Sequence, residues 1–355
     1  MKIVANKILF ESILTNLQNF LEKKDASQIT SHLFIKAKEN GCIIKATDGE
    51  IGLLIETDNI IIEEEGVITA NGKRLLDIIR ILRDEDVILE KIDNNLHIRQ
   101  NKSKFKLPIF NFKNFPSFPI IENKSKISLD SIKLINALKN ISSSIDSNNP
   151  KYELNGALLN IKNQKTELVG TDTRRLSVVT IENKSEKELS LIIPKKAIIE
   201  IQKLFIDDID IYYDETSLII KNRNFYFFTR LINGNFPNYE RIIPSTSRYT
   251  ITLPKKEMLE SIKMITTISQ EIKITFTKES LLFNSLATDN IEAKTELLIP
   301  TGLGEDFEIN VNSRFLLDFI SQIESDLFKI SLNEPTLPFV LKNKQFITVI
   351  MPIIV

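Results

Sequence analysis

The sequence predicts an α+β protein made of three repeated domains, each with two helices packed on antiparallel sheets. Three observations support this fold class. A segment with apolar residues at three- and four-residue intervals opens each third of the chain, and strand-like sequence follows it. A Thr-Asp dipeptide then precedes a second helical pattern, whose first basic residue comes 25, 24 and 25 positions after the Asp. In chain order, the opening segments are Asn6 to Leu21, Leu129 to Ser142 and Pro254 to Ile268, the acidic residues are Asp48, Asp172 and Asp289, and the basic residues are Lys73, Lys196 and Arg314.

Short runs of alternating or β-branched residues fill the intervals between these helices. Turn signals such as Glu39-Asn40-Gly41 separate the runs, and the gaps are too short for crossover helices, so we expect antiparallel pairing. Each third is expected to hold about seven or eight strands. In the first third the runs are His32 to Lys38, Cys42 to Lys45, Gly52 to Glu56, Asn59 to Ile62, Val87 to Lys91 and Leu96 to Gln100.

The length of 355 residues suits three domains of similar size. Two polar, turn-prone segments, Asn111 to Lys126 and Ile243 to Tyr249, have the composition of domain joints. Domain boundaries are therefore predicted at 1–121, 122–246 and 247–355.

The composition argues against several classes of protein. The formal net charge of −1 gives no overall attraction for nucleic acid, so such binding must depend on where the charges lie. Cys42 has no partner for an intrachain disulfide, which fits a reducing compartment. No signal peptide is evident, and no apolar run reaches the ~18 residues of a membrane span. We expect a cytoplasmic protein that does not cross a membrane.

Catalytic motifs are missing from the sequence. Only His32 and His97 are present and neither lies in HExxH, so we expect no enzyme, no metal and no cofactor. The three Thr-Asp aspartates, Asp48, Asp172 and Asp289, could in principle serve a hydrolase. Their matching positions in separate domains instead predict side chains that close turns through hydrogen bonds to the backbone.

Basic residues recur on all six predicted helices, beside or opposite the apolar stripes. A solvated outer face is the simplest interpretation for any one helix. Repetition in all three domains favours a binding role, because cations at helix N-termini oppose the helix dipole. The residues are Lys7, Lys73, Arg74, Lys133, Lys139, Lys195, Lys196, Lys203, Lys255, Lys256, Lys263 and Arg314.

Four motifs occur along the chain in a characteristic order. They are Ala46 to Glu50, Val169 to Val178, Leu231 to Arg241 and the terminal Met351-Pro352. In this order and spacing they resemble the bacterial DNA sliding clamps, the β subunits of DNA polymerase III, over the whole chain. The resemblance implies a head-to-tail homodimeric ring around double-stranded DNA, with helices inside and sheets outside. Such a processivity factor tethers the replicative polymerase.

Helix dimensions agree with a dimer. Six helices spaced about 9 Å apart give a perimeter of roughly 54 Å and an axis-to-axis diameter of about 17 Å, and subtracting one helix thickness of about 10 Å from that diameter leaves no passage for a duplex. Twelve helices give a perimeter of about 108 Å and an axis-to-axis diameter of about 34 Å. The remaining opening of roughly 24 Å admits a B-DNA duplex about 20 Å wide.

The resemblance also implies three sets of site residues. Polymerases, the clamp loader and other partners would insert short apolar peptides into a groove between the second and third domains, formed by Leu154, Thr171, Arg174, Arg175, Leu176, Pro237, Arg241, Ile242, Val349, Met351, Pro352 and Ile353. DNA would face Lys24, Lys73, Lys133, Lys139, Lys151, Tyr152, Lys196, Lys203 and Lys263. The dimer interface would join Phe105 and Leu107 of one copy to Ile268 of the other.

Two positions depart from the family pattern. Thr173-Arg174 stands where Gly-His is common, so we expect a bulkier and more cationic groove rim. Glu153 follows Tyr152 where a second Tyr is common, and its carboxylate would repel phosphate near Lys151.

The chain end supports part of the groove independently. The segment from Phe346 to Val355 carries more apolar surface than one strand can bury, and Pro352 prevents pairing as a central strand. The alternative is a last strand buried in its own domain, which applies best to Val349 and Ile350.

A repeat scaffold that binds peptides without encircling DNA is the alternative function.

Overall fold

The computed structural model describes residues 1–25, 27–183, 188–286 and 291–354. Every predicted helical segment coincides with an α-helix, so the prediction of two helices in each third is confirmed. The helices are α1 (Lys7–Leu17), α2 (Gly72–Ile81), α3 (Ser131–Ser142), α4 (Lys195–Leu204), α5 (Lys255–Thr266) and α6 (Ser313–Gln322).

Asparagine side chains begin three of these helices. Asn6 accepts hydrogen bonds from two backbone N–H groups of α1, and Asn71 and Asn312 each accept one from α2 and α6. Such caps satisfy donors that the first helical turn leaves open, which explains why each helix begins directly after its strand.

Six strands of the first third follow the six predicted runs, with bounds that differ by at most two residues, whereas the strands at 2–6, 66–71 and 103–108 were not among those runs. The first third contains β1 (Lys2–Asn6), β2 (His32–Lys38), β3 (Gly41–Thr47), β4 (Ile51–Thr57), β5 (Ile61–Glu64), β6 (Gly66–Asn71), β7 (Asp86–Ile92), β8 (Asn95–Gln100) and β9 (Ser103–Pro108). The second contains β10 (Ser125–Ile127), β11 (Gly156–Lys162), β12 (Lys165–Thr171), β13 (Arg175–Glu182), β14 (Leu189–Pro194), β15 (Asp210–Tyr213), β16 (Ser217–Lys221) and β17 (Phe225–Arg230). The third contains β18 (Tyr249–Pro254), β19 (Glu271–Phe276), β20 (Ser280–Ser285), β21 (Lys294–Leu298), β22 (Phe307–Asn312), β23 (Leu327–Leu332), β24 (Phe339–Asn343) and β25 (Phe346–Ile350).

The second and third repeats have the same order of elements and eight described strands each, as expected. The first repeat has nine, so the expected number is wrong there by one. The additional strand is β5, which pairs with β1 at the edge of its sheet. An edge strand needs only one partner, so it can be added without disturbing the rest of the repeat.

The described strands form four antiparallel sheets, two of them shared between repeats. One has the order β5-β1-β7-β8-β9, and the next, β10-β15-β16-β17-β4-β3-β2-β6, joins the first and second repeats through β17 and β4. The sheet β14-β11-β12-β13-β25-β24-β23-β18 joins the second and third repeats through β13 and β25, and β21-β20-β19-β22 is the fourth. Paired strands therefore cross both predicted domain joints.

The described chain forms two compact units instead of three. The first comprises residues 1–131 and 203–231, and the second comprises 132–202 and 232–355. The second repeat is divided between them because one of its half-sheets continues into the first repeat and the other into the third. The three predicted domain boundaries remain a prediction.

Cys42 is buried on β3, and burial raises its thiol pKa to about 12, so the thiol stays protonated at neutral pH. Among the helices described here, none combines the length and apolarity needed to span a bilayer.

Candidate functional site

The second and third repeats meet at a strand junction. Leu176 of β13 lies opposite Val349 of β25, and Arg175 lies opposite Ile350. Two residues predicted to form the groove are thus brought together by backbone pairing.

An apolar cluster, here called the junction cluster, surrounds this pair. Leu176 and Val349 are each only 2% exposed, so they lie at the base of any groove rather than along its open walls. The other buried members are Leu158, Val169, Val178, Ile192, Ile232 and Tyr239, and the half-buried members are Phe236, Ile243, Val340 and Ile347. The half-buried residues were missed by the sequence analysis, because they come from separate strands and from a connecting segment that no single motif links.

The chain end leaves the sheet next to this cluster. Met351 donates its backbone N–H to the carbonyl of Arg174 at 2.9 Å, and Ile353 donates to the carbonyl of Asn310 at 2.7 Å. Pro352 is buried, whereas Met351 and Ile354 are 42% and 74% exposed. Hydrogen bonds therefore fix the backbone of the chain end, while the apolar side chains of Met351 and Ile354 are exposed.

The expectation that Pro352 prevents central pairing is wrong for β25, whereas the segment as a whole does carry more apolar surface than this strand buries, since Met351 and Ile354 are exposed. This strand is central, paired with β13 and β24, and Val349 and Ile350 are buried. Pro352 does not prevent the pairing, because β25 ends two residues before it. Exposed apolar surface begins at Met351.

The predicted role of Asp48 and Asp172 as turn-closing residues is confirmed. Asp172 Oδ1 accepts the backbone N–H groups of Arg174 and Arg175 at 3.1 and 3.0 Å. Asp48 makes the equivalent bonds in the first repeat, at 2.9 and 3.0 Å. The third aspartate, Asp289, lies outside the described residues.

Residues 171–175 form what we call the rim turn. Thr171 Oγ1 donates to the Arg175 carbonyl at 2.6 Å and accepts the Thr173 N–H at 3.1 Å. Thr173 has a φ of 74°, a left-handed conformation that β-branched residues rarely adopt. In the first repeat Gly49 occupies this position with a φ of 94°.

The two arginines of the rim turn differ in exposure. Arg174 is exposed, whereas the side chain of Arg175 is 4% exposed and pairs with Asp172 and Asp318. The cationic rim expected from the sequence therefore depends on Arg174.

The segment joining the second and third repeats crosses the junction cluster at a short 3-10 helix, Tyr239–Ile242. Tyr239 fixes this helix to the sheet, because its hydroxyl donates to Glu167 Oε2 at 2.7 Å and accepts from Asn160 at 3.2 Å. Burial raises the pKa of Tyr239, so the phenol stays protonated and keeps donating. The neighbouring Ile242 is 46% exposed.

Other predicted groove residues differ in exposure. Pro237 is half-buried and Arg241 is exposed. Leu154 is 3% exposed within a second 3-10 helix, Tyr152–Asn155.

All nine residues predicted to face DNA are exposed: Lys24, Lys73, Lys133, Lys139, Lys151, Tyr152, Lys196, Lys203 and Lys263. A cleft of about 710 Å³ between α3 and α6 brings Lys133 and Lys139 together with Lys255.

In the wider basic set, three lysines that are at least half-buried bond to other parts of the chain. Lys7 is 9% exposed and bonds to Glu11 and Asp84, which raise its pKa. Lys195 donates to the Ile145 carbonyl, and its burial lowers its pKa. Lys255 donates to the Ile323 carbonyl at 2.5 Å. For these three, a structural bond accounts for the cation.

Two of the predicted interface residues lie on an edge strand of the described sheets, and Ile268 lies in the turn after α5. Phe105 and Leu107 are on β9, the edge of the first sheet. Phe105 is half-buried and Ile268 is 42% exposed, but Leu107 is only 6% exposed within its own chain. Leu298 is also exposed on an edge strand, β21, and the sequence analysis did not name it because its strand carries no distinctive motif.

Comparisons with known proteins match one family along nearly the whole chain. Family models of the DNA polymerase III beta subunit match residues 1–119 (N-terminal domain), 128–238 (central domain) and 240–354 (C-terminal domain). A beta sliding clamp of Helicobacter pylori strain J99 is 38% identical over 372 aligned positions, covering 99% of this chain and 100% of the relative.

Solved structures give the same result. The Helicobacter pylori beta clamp bound to a DNA ligase peptide has a TM-score of 0.93 at 40% identity, with 100% of both chains covered. The Bacillus subtilis sliding clamp has a TM-score of 0.92 at 20% identity, covering 100% of this chain and 99% of that one, which shows a shared fold.

Proposed function

The chain belongs to the family of DNA polymerase III beta subunits, the bacterial sliding clamps, and on this basis we propose how its residues form the ring and capture partners. The protein is a non-catalytic processivity factor. Two copies form a ring that encircles duplex DNA, slides without sequence preference and tethers the replicative polymerase and other partners.

Two free strand edges carry the proposal for ring closure. Within the chain, β4 pairs with β17 and β13 pairs with β25, so one kind of strand joins neighbouring repeats twice. In the third repeat the counterpart of β4 and β13 is β21, and in the first repeat the counterpart of β17 and β25 is β9. Both lie at sheet edges, where unpaired backbone groups are available to another chain.

Pairing of β21 with β9 of a second copy would repeat the internal joint and close a head-to-tail dimer. Leu298, 79% exposed on β21, and the half-buried Phe105 on β9 would supply apolar contacts, with Ile268 beside them. Leu107 would contribute mainly through its backbone, because its side chain is already buried.

DNA would be held by charge and by topology together. Exposed lysines on helices of all three repeats would neutralise phosphates without reading bases, and a closed ring needs only weak contacts to stay on DNA. This fits a net charge of only −1.

Partner peptides would bind above the junction cluster. Apolar side chains of the peptide would contact Met351, Ile242 and Pro237 at the rim, with Leu176 and Val349 below. Arg174 would contribute a cation at one end. The relative bound to a DNA ligase peptide supports a peptide ligand of this kind.

We propose that the protein acts in the bacterial cytoplasm, where the replicating DNA lies. We also propose the three-domain boundaries 1–121, 122–246 and 247–355, since these fall close to the limits of the three family matches.

Retention on DNA of different topology tests the ring. The protein is loaded by its clamp loader onto a nicked circular plasmid, and half of the sample is then linearised. Gel filtration should show the protein retained on the circle and lost from the linear form. Equal loss from both would contradict encirclement and favour a peptide-binding scaffold that never closes around DNA.

A further inference from the structure

The guanidinium of Arg175 is enclosed by partners on several sides. Nε donates to Asp172 Oδ2 at 3.0 Å, Nη1 donates to Asp318 Oδ2 at 2.7 Å, and Nη2 donates to the carbonyl of Ser143. Its central carbon lies 4.5 Å from the centroid of the Phe315 ring. These bonds use three of the five N–H donors, and the side chain is only 4% exposed, so a ligand has little access to it.

These partners belong to three separate elements. Asp172 is in the rim turn, Ser143 follows the last residue of α3, and Phe315 and Asp318 lie on α6 of the third repeat. A planar guanidinium has donors fixed in direction and can hold three such elements at one set of distances, whereas an ammonium has three donors on a flexible stem and no such planar geometry.

The first repeat shows that the rim turn does not itself need an arginine. Its turn has the same hydrogen bonds, with Thr47 Oγ1 donating to the Ile51 carbonyl at 2.7 Å. Ile51 stands there at the position of Arg175. Because the turn closes equally well around isoleucine, the arginine must serve contacts between elements.

The residues on either side of Arg175 take part in the proposed groove. The Arg174 carbonyl holds the backbone of Met351, and Leu176 pairs with Val349 in the junction cluster. A shift of α6 relative to the rim turn would therefore move Met351 and the groove base with respect to each other.

We infer that Arg175 is a positioning residue: by holding Asp318 and Phe315 of α6 against the rim turn, it sets the shape of the peptide groove without contacting the peptide. This inference rests on the proposed groove function. It assigns to Asp318, a residue absent from the predicted groove, a part in peptide affinity.

The test uses a fluorescein-labelled copy of the DNA ligase peptide found on the Helicobacter pylori clamp, with affinity measured by fluorescence anisotropy. The variants are Arg175→Lys, Asp318→Asn and their combination. The controls are Arg223→Lys and Asp208→Asn, the same two substitutions at exposed positions of the second repeat that carry no proposed groove residue. Urea unfolding curves establish conditions in which every variant is fully folded.

We expect Arg175→Lys to weaken affinity about tenfold and Asp318→Asn about fivefold, with the double variant no weaker than Arg175→Lys alone, because the two residues act through one contact. The controls should bind as the wild type does.

Three results would overturn the inference. Normal affinity for folded Arg175→Lys would show that charge alone suffices or that the residue only stabilises the fold. Normal affinity for Asp318→Asn beside a weak Arg175→Lys would indicate direct contact of Arg175 with the peptide. Additive losses in the double variant would show that the two residues act separately. Failure of the wild type to bind would instead refute the proposed groove.

Discussion

Leu176 lies directly opposite Val349 in adjacent antiparallel strands, and this pair joins the second and third repeats into one sheet. Both side chains are fully packed before any partner arrives. Central paired strands resist local opening, so the base of the proposed groove is preformed. Adaptation to different peptides then falls to the exposed residues that follow, above all Met351, whose unbranched side chain can fill varied shapes.

Met351→Ala should weaken binding of the labelled DNA ligase peptide by about 1–2 kcal/mol, which is roughly 5- to 30-fold, because an exposed apolar contact is lost. Fluorescence anisotropy measures the effect. Met264→Ala is the matched control, since Met264 is 59% exposed on α5, a helix that carries none of the proposed groove residues. Equal affinity of Met351→Ala and wild type would remove Met351 from the groove.

Phe105→Asp should dissociate the dimer, because a carboxylate at the β9 edge would be desolvated when β21 of a second copy pairs with it. Ile61→Asp provides the control. Ile61 is 64% exposed on β5, the opposite edge of the same sheet. Sedimentation velocity should show monomers for the first variant and dimers for the second. Dimers in both cases would place the interface elsewhere.

Thr173→Gly should stabilise the protein by about 0.5–1 kcal/mol, because relief of the left-handed strain exceeds the entropy that glycine adds to the unfolded chain. The reverse change at the equivalent position, Gly49→Thr, should destabilise by about 1–2 kcal/mol. A Cβ at Gly49 would meet no atom within 4 Å, so backbone strain alone is tested there. Urea unfolding measures both, and a stabilised Gly49→Thr would contradict the account.

Because of His32, the free energy of unfolding should decrease as the pH falls. It is 2% exposed, stacks on Phe110 with ring centroids 3.9 Å apart, and burial lowers its pKa from 6.5 to about 4. Between pH 6.5 and 4, His32 is therefore protonated in the unfolded chain and neutral in the folded chain. The contribution to stability is full above pH 6.5 and disappears as the pH falls towards 4, amounting to roughly 3 kcal/mol at most.

The His32→Phe variant keeps an aromatic ring for the stack but has no proton to bind. Its unfolding free energy should vary less between pH 6.5 and 4 than that of the wild type, in urea titrations at each pH. His97→Phe is the control for the other histidine. Identical pH profiles for His32→Phe and wild type would refute the assignment.

Lys73→Ala should lower the slope of log K against log salt concentration for duplex binding by about 1, as expected for one lost phosphate contact. Lys329→Ala, an exposed lysine on β23, should leave the slope unchanged. Affinity for a short duplex at several salt concentrations gives both slopes. A slope unaltered in Lys73→Ala would mean that this lysine does not face DNA.

The sequence by itself determined the local structure and the family. Helix periodicity located all six helices, because apolar residues at three- and four-residue spacing are a property of one continuous segment. The Thr-Asp dipeptides predicted their turns for a similar reason, since the bonds of Asp48 and Asp172 span only two or three residues. The order of motifs along the chain identified the clamp family.

Only the tertiary structure decided which strands join across repeats and which cations are free to act. The sequence treats Lys7 and Lys73 alike, but contact with Asp84, 77 residues away, makes Lys7 a structural ion pair. The sequence also treats Arg174 and Arg175 alike, but the ion pair with Asp318 on α6 holds the side chain of Arg175 in the interior. The physical reason is that burial and charge pairing depend on residues far apart in sequence, whereas periodicity and turn chemistry report only on neighbours.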